Sequence, residues 1–211
     1  WSDEKMGELI SYVARPVVAK GLNLQATFDS CKISEYLFSD EKHHLVLLEN
    51  LKLDFDFKRP LVFYPGCGVD IVWFLQVMER VFDSPEVDVL FLDQDYVQGT
   101  IETVLDDIGV SFERQGNVLH FYYSGRLFHL TIRQADVFSD WKSVPEYDMY
   151  FERAFRLMRD FASEYEKRVV EKLHPGGVLI SDSGYKDYGL EEIPVAGEIS
   201  AYGEMIVGKK R

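Results

Sequence analysis

The segment Leu61-Val62-Phe63-Tyr64-Pro65-Gly66-Cys67-Gly68-Val69-Asp70 carries the clearest chemistry in the chain. A short apolar run ends in Gly-x-Gly, and a helical pattern follows at once. Glycines just past a strand let the backbone turn sharply and approach a ligand with no Cβ in the way. The helix after them points its free N–H groups at the same place. Gly66, Cys67 and Gly68 therefore outline a nucleotide-type pocket at the carboxyl end of a first parallel strand, although a plain strand-to-helix turn gives the same three residues. Asp93 closes the next apolar run, and a carboxylate in that position accepts both hydroxyls of a ribose. A helix N-terminus would lower the pKa of Cys67, but in a loop covered by ligand the residue reads as small packing. His43 and His44 are adjacent, so on a helix they diverge. The histidines and cysteines show no metal-ligand spacing, and no metal is expected.

Elements that would position these residues follow from the apolar pattern. Strand one is expected at Leu61–Tyr64, with a helix from Asp70 to Phe82. Strand two is Val87–Leu92, with a helix from Tyr96 to Ile108 that Asp95 would cap. Alternating strands and helices at this spacing predict βαβ units and a parallel sheet. Val118–Tyr123 and Arg126–Ile132, joined by Ser124-Gly125, predict an inserted β-hairpin whose second arm continues into strand three, ending at Ala135-Asp136. Strand four is placed near Tyr147–Phe151, a long helix over 153–173, and strand five at Val178–Ser181 after a Pro175-Gly176-Gly177 turn. Two last strands fall near Glu192–Val195 and Glu204–Val207. Before strand one, 3–22 reads as a helix kinked by Pro16, and 31–51 as further helix. The expected division is a helical N-terminal extension or cap over 1–59 and an α/β domain over 60–211. Phe121, Tyr122, Tyr123 and Trp141 read as packing around the hairpin or as the wall of a substrate pocket.

Composition narrows the partners. The chain has 211 residues, of which 46% are hydrophobic and 14% aromatic, enough to build a full core. Its net charge of −13 repels phosphate backbones and anionic lipid. Nucleic acid and membrane are not expected partners, and a neutral or cationic substrate suits the charge better. Two cysteines, Cys31 and Cys67, fit a reducing cytoplasm and not a disulfide framework. No apolar run approaches the ~20 residues of a spanning helix. The opening residues Trp1-Ser2-Asp3-Glu4-Lys5 do not read as a signal peptide, and the natural start is not read from a chain that begins at Trp1. The oligomeric state is not legible.

Lined up in order, several pieces over 60–208 resemble the class I S-adenosylmethionine-dependent methyltransferase family. Pro65-Gly66-Cys67-Gly68 is similar to its glycine-rich first motif. Phe91-Leu92-Asp93-Gln94-Asp95 resembles the acidic end of its second strand, and Ala135-Asp136-Val137-Phe138 the acidic turn after its third. Tyr147-Asp148-Met149 resembles the start of the fourth. Leu173-His174-Pro175-Gly176-Gly177-Val178-Leu179-Ile180 resembles the Leu-Lys-Pro-Gly-Gly turn before the fifth, and the C-terminal strands resemble its closing antiparallel pair. The resemblance implies a Rossmann-like, mostly parallel central sheet with helices on both faces and an antiparallel C-terminal strand. It also implies S-adenosylmethionine as cofactor, held by Tyr64, Gly66, Cys67, Gly68, Asp93 and Asp136, with Asp136 accepting from the adenine amino group.

Two positions depart from the family. Tyr64 stands where an acid is usual, and Asp70 where a third glycine is common. Asp70 either caps the helix or takes the missing acid's place toward the cofactor's ammonium group. Methyl transfer from a sulfonium depends mainly on in-line placement of the acceptor; an oxygen or nitrogen acceptor also benefits from a base. Glu152 after strand four and Asp182 after strand five are weak candidates for catalysis, each more often a solvated or ion-paired acid. The expected activity is methyl transfer to a small molecule or a protein. The alternative is a non-catalytic relative that binds a nucleoside ligand or a partner protein.

Overall fold

Apolar runs of the sequence become the buried middle of one sheet. Strands β1 (Leu61–Pro65) and β2 (Glu86–Asp93) pair in parallel, with Phe63 opposite Leu90. The pleat sends alternate side chains to opposite faces: Val62, Tyr64, Val89 and Phe91 pack on one side, Phe63, Leu90 and Leu92 on the other. The computed structural model describes residues 10–49, 51, 53–182, 184–199 and 206–211.

Around this pair the sheet grows in both directions. Strands β3 (Phe112–Gln115), β4 (Val118–Tyr123) and β5 (Arg126–Gln134) form an antiparallel meander, and β5 then runs parallel to β2. On the other side β6 (Tyr147–Phe151) and β7 (Leu173–Ile180) continue the parallel set. Strand β9 (Val207–Lys209) lies antiparallel between β7 and the short edge strand β8 (Glu191–Glu192). The order is β3-β4-β5-β2-β1-β6-β7-β9-β8. The chain works outward from β1 to β5, then returns to the other flank of β1 with β6. Such a reversal opens a crevice at the carboxyl ends of the two strands, the place where open α/β sheets take ligands.

Helices cover both faces. On one lie α3 (Ile71–Val81) and α4 (Gln98–Asp107), with α1 (Ser30–Glu35) and α2 (Ser39–Leu48) outside α3. Helix α3 is buried nearly all round because Leu45 and Leu48 of α2 join the same core. On the other face, Tyr165 and Val169 of α6 (Tyr165–Lys172) pack with Tyr147, Tyr150 and Leu179. Burying each large side chain of these two layers contributes about 1.5–3 kcal/mol.

Several expectations need correction. Residues 10–22 form no helix; the rest of the helix expected over 3–22 lies outside the described residues. The backbone of Arg15 is engaged by Thr103, whose Oγ accepts from its N–H (3.0 Å) and donates to its carbonyl (3.2 Å). Pro16 also pushes Arg15 away from helical angles. The helix expected over 31–51 is two helices, α1 and α2, separated where Leu37 turns into the core. The helix expected over 153–173 is α5 (Arg156–Arg159) and α6, separated by three-residue turns that bring Arg159 and Tyr165 inward.

Strand β3 escaped the apolar pattern because only Phe112 of its four residues is buried. Strand β7 begins at Leu173, four residues before the expected turn ends. Gly177 makes this feasible, since a Cβ there would lie 2.7 Å from the Asp148 carbonyl oxygen. The register of β6 against β7 shifts between Tyr147 and Met149. Strand β8 is Glu191–Glu192 and meets the expected 192–195 at Glu192 alone, and the start of the strand expected at Glu204 lies outside the described residues.

Candidate functional site

The loop from β1 to α3 is built on two left-handed glycines, Gly66 (φ +58°) and Gly68 (φ +51°). Any side chain there would be strained. The Gly66 N–H donates to the Leu92 carbonyl (2.8 Å), and the Gly68 N–H donates to the Asp93 carboxylate (2.8 Å). The other Asp93 oxygen accepts from the Asp95 N–H (2.9 Å). Asp93 is thus half-buried and stitched to the loop. Asp95 does not cap α4; its side chain is exposed, and no side chain caps that helix.

Cys67 is buried between these glycines, and burial together with the Asp93 carboxylate pushes its thiol well above the usual range. That fits packing and not nucleophilic use. Asp136 is exposed, and one of its carboxylate oxygens accepts from the Phe138 N–H (3.0 Å), a local turn bond. Gly66, Asp93, Asp136, Phe138, Phe155 and Met158 line a cavity of about 160 Å³. So the structure brings the glycine loop, Asp93 and Asp136 to one crevice.

Tyr64 and Asp70 form a unit. The Tyr64 hydroxyl, buried under α3, donates to Asp70 (2.9 Å). Asp70 sits at the N-cap position of α3 but makes no capping bond with its side chain. Its other oxygen faces the Arg153 guanidinium (3.2 Å). Burial pushes the Asp70 carboxyl up to about 7, against the pull of the Tyr64 hydrogen bond. The same Arg153 pairs with Glu41 of α2 and lies over the Trp73 ring, 5.0 Å from its centre. Glu41, only 3% exposed, also accepts from the Phe38 N–H (2.7 Å).

Glu152, at the carboxyl end of β6, is fully enclosed. It accepts from the Ser181 hydroxyl (2.5 Å), the Tyr150 hydroxyl (2.6 Å) and the Tyr185 hydroxyl (3.2 Å), and pairs with Arg159 (3.1 Å). Burial lifts its carboxyl to about 7, while Arg159 and the hydroxyls pull the other way. Held by three hydroxyls and Arg159, Glu152 ties the β6 and β7 ends together. Asp182 accepts from the Ala154 N–H (2.9 Å). Both acids line a second cavity, about 320 Å³, floored by Trp73, Val77 and Phe151 and adjoining the first at Ala154.

Sequence reasoning missed Glu41, Trp73, Arg153 and Phe155. Only the position of Arg153 and Phe155, just past β6, could have flagged them. Phe121 stacks on Phe128 at 5.4 Å, and Trp141 meets Phe63 and Tyr165 edge-on, so these aromatics are packing. Among the described residues no group of three or more His, Cys, Asp or Glu could hold a metal, and no helix is long and apolar enough to cross a membrane.

No family model matches the chain, and no curated protein is similar to it. Among solved structures it is similar to a precorrin-8w decarboxylase from Methanobacterium thermoautotrophicum: 18% identity and TM-score 0.38 over 70% of this chain and 63% of that one. It is also similar to a methyltransferase from Geobacter sulfurreducens, at 15% identity and TM-score 0.44 over 81% and 77%. A third is a methyltransferase from Thiobacillus denitrificans solved with S-adenosyl-L-homocysteine, at 10% identity and TM-score 0.42 over 69% and 48%. The chain spans less than two thirds of the first and third of these. Identities this low do not say what the chain does; what the strand order itself establishes is an α/β sheet, parallel at its centre, helix-covered on both faces, with one antiparallel strand inserted near its end.

Proposed function

We propose that the chain binds S-adenosylmethionine in the crevice between β1 and β6 and transfers its methyl group to a small molecule or a protein. One observation carries the reading. The carboxylate that ends β2 is bonded to the glycine loop that ends β1, the strand beside which the order reverses. A nucleoside laid there meets Asp93 at its sugar and Asp136 at its base. Each Asp93 oxygen accepts one backbone N–H and keeps a second lone pair for a ribose hydroxyl. Asp70, presented by Tyr64, supplies the acid that the first motif lacks.

In this reading the chain's residues bind and orient, and the bound cofactor supplies the electrophilic methyl group. The 320 Å³ cavity beside Ala154 takes the acceptor, and the net charge of −13 disfavours nucleic acid. Residues 60–211 form the cofactor-binding domain and 1–59 its cap. Two free thiols fit a cytoplasmic setting. Isothermal titration with S-adenosylmethionine tests the proposal: saturable heat with one site per chain is expected, and none at millimolar ligand overturns it.

The second reading, a non-catalytic binder, draws on Phe155, whose ring lies over Gly66 where a nucleoside would rest. Binding of S-adenosylhomocysteine without turnover of any offered acceptor would favour it.

A further inference from the structure

We propose that Arg153–Phe155 is a displaceable plug, whose guanidinium holds a cation subsite of Glu41, Asp70 and the Trp73 face while its phenyl ring holds the platform over Gly66. The proposal rests on the cofactor crevice argued above and goes further. It assigns Glu41 and Trp73 to the site, and it states what ligand must push aside.

Three consecutive residues fill the two halves of the crevice. Arg153 reaches one way, between Glu41 and Asp70, with Trp73 beneath it. Two carboxylates and an indole face make a subsite for an aliphatic ammonium or sulfonium. Glu41 is 3% exposed, and Arg153 supplies the cation that faces its carboxylate. Phe155 reaches the other way and covers Gly66 so closely that a Cβ there would overlap its edge. Its ring lies parallel to Phe138 at 5.9 Å, on the wall of the smaller cavity. A flat ring on that platform occupies the room of a nucleobase or ribose.

The segment is held in a strained form. Ala154, between the two, has φ +53°, a conformation that costs a non-glycine residue free energy. A clasp holds it: the Ala154 N–H donates to Asp182 (2.9 Å). Next comes a helix of a single turn, α5, and its neighbourhood turns Leu157 and Phe161 to solvent, 75% and 88% exposed. Phe155 itself is 6% exposed and packs with Phe138 and Tyr165, so a ligand must replace that packing as well as the ion pairs. A ligand carrying a cation at one end and a nucleoside at the other would replace both contacts at once.

Titrations of wild type, Phe155→Ala and Arg153→Gln with adenosine and with S-adenosylmethionine test this, with thermal melts to confirm folding. If the plug is seated in nine molecules of ten, removing its ring tightens binding about tenfold, since apparent affinity scales with the open fraction. Phe155→Ala should tighten both ligands; Arg153→Gln should tighten S-adenosylmethionine and leave adenosine within twofold. Unchanged affinities in both variants, with wild type binding, overturn the plug but not the cofactor site. Absence of binding in all three proteins overturns the cofactor site itself. Should one variant fail to fold, the other still decides, because each removes one half of the plug.

Discussion

Asp93 at the end of β2 accepts a hydrogen bond from the Gly68 amide at 2.8 Å, tying the second strand to the loop that leaves the first. The same carboxylate orders the loop and faces the crevice. Asp93→Ala should therefore weaken S-adenosylmethionine binding by roughly 1–3 kcal/mol through lost charge-assisted hydrogen bonds. Asp93→Asn should retain part of it. Calorimetry on folded variants checks this; unchanged affinity would move the ribose contact elsewhere.

Buried Glu152 makes stability depend on pH. Its carboxyl sits at about 7 in the folded chain against 4.5 for the ordinary group. Between those values the folded state holds a proton that the unfolded state has released. Stability from this group is therefore full below about 4.5 and falls as pH rises toward 7, by on the order of 2–3 kcal/mol. Asp70, raised to about 7 beside Tyr64, Arg153 and Tyr12, acts in the same direction. Denaturant melts of wild type and Glu152→Gln at pH 5 and pH 7.5 should show a smaller loss in the variant. Equal pH slopes would mean that Glu152 is ionised throughout.

Gly66 meets two demands at once. Its φ of +58° and the Phe155 ring above it both exclude a side chain. Gly66→Ala should cost about 1–3 kcal/mol, and part of the cost should vanish in a Phe155→Ala background, where only backbone strain is left. A double-mutant cycle by chemical denaturation measures that coupling. Strict additivity would separate the two residues.

The two thiols should differ sharply in reactivity. Cys31 is exposed, whereas Cys67 is buried and its thiol is held well above its ordinary pKa. A native chain should lose one thiol quickly to a disulfide reagent and the second only as it unfolds. Two rapid equivalents would show that the glycine loop opens freely.

Much of the sheet was legible because β1, β2 and β6 are buried on both faces, and such strands read as unbroken apolar runs. The glycine loop and the placement of Asp93 followed from the same junctions. What stayed hidden depends on distant partners. The extended course of residues 10–22 rests on Thr103, Asp106 and Asp107, and no local pattern at Arg15 announces them. The break after Arg159 reflects its reach to Glu152 and Glu166. The Glu41–Arg153–Asp70 chain of contacts joins α2, the β6 end and α3. Sequence separations of 83 and 112 residues put those pairs beyond any periodicity.

Strand β9 is drawn from the last described stretch of the chain yet lies inside the sheet, with β7 on one side and β8 on the other. Just past it, Lys210 exchanges backbone bonds with Gly176 and Gly177, and its ammonium group closes the free carbonyls of Val170 and Leu173. β7 therefore gains its second neighbour only after these later residues have been made. Until then β7 offers a naked row of amides and carbonyls, the kind of border that recruits strands from other chains. Deleting Val207–Lys210 would leave that border open for good and convert a folding delay into a tendency to aggregate.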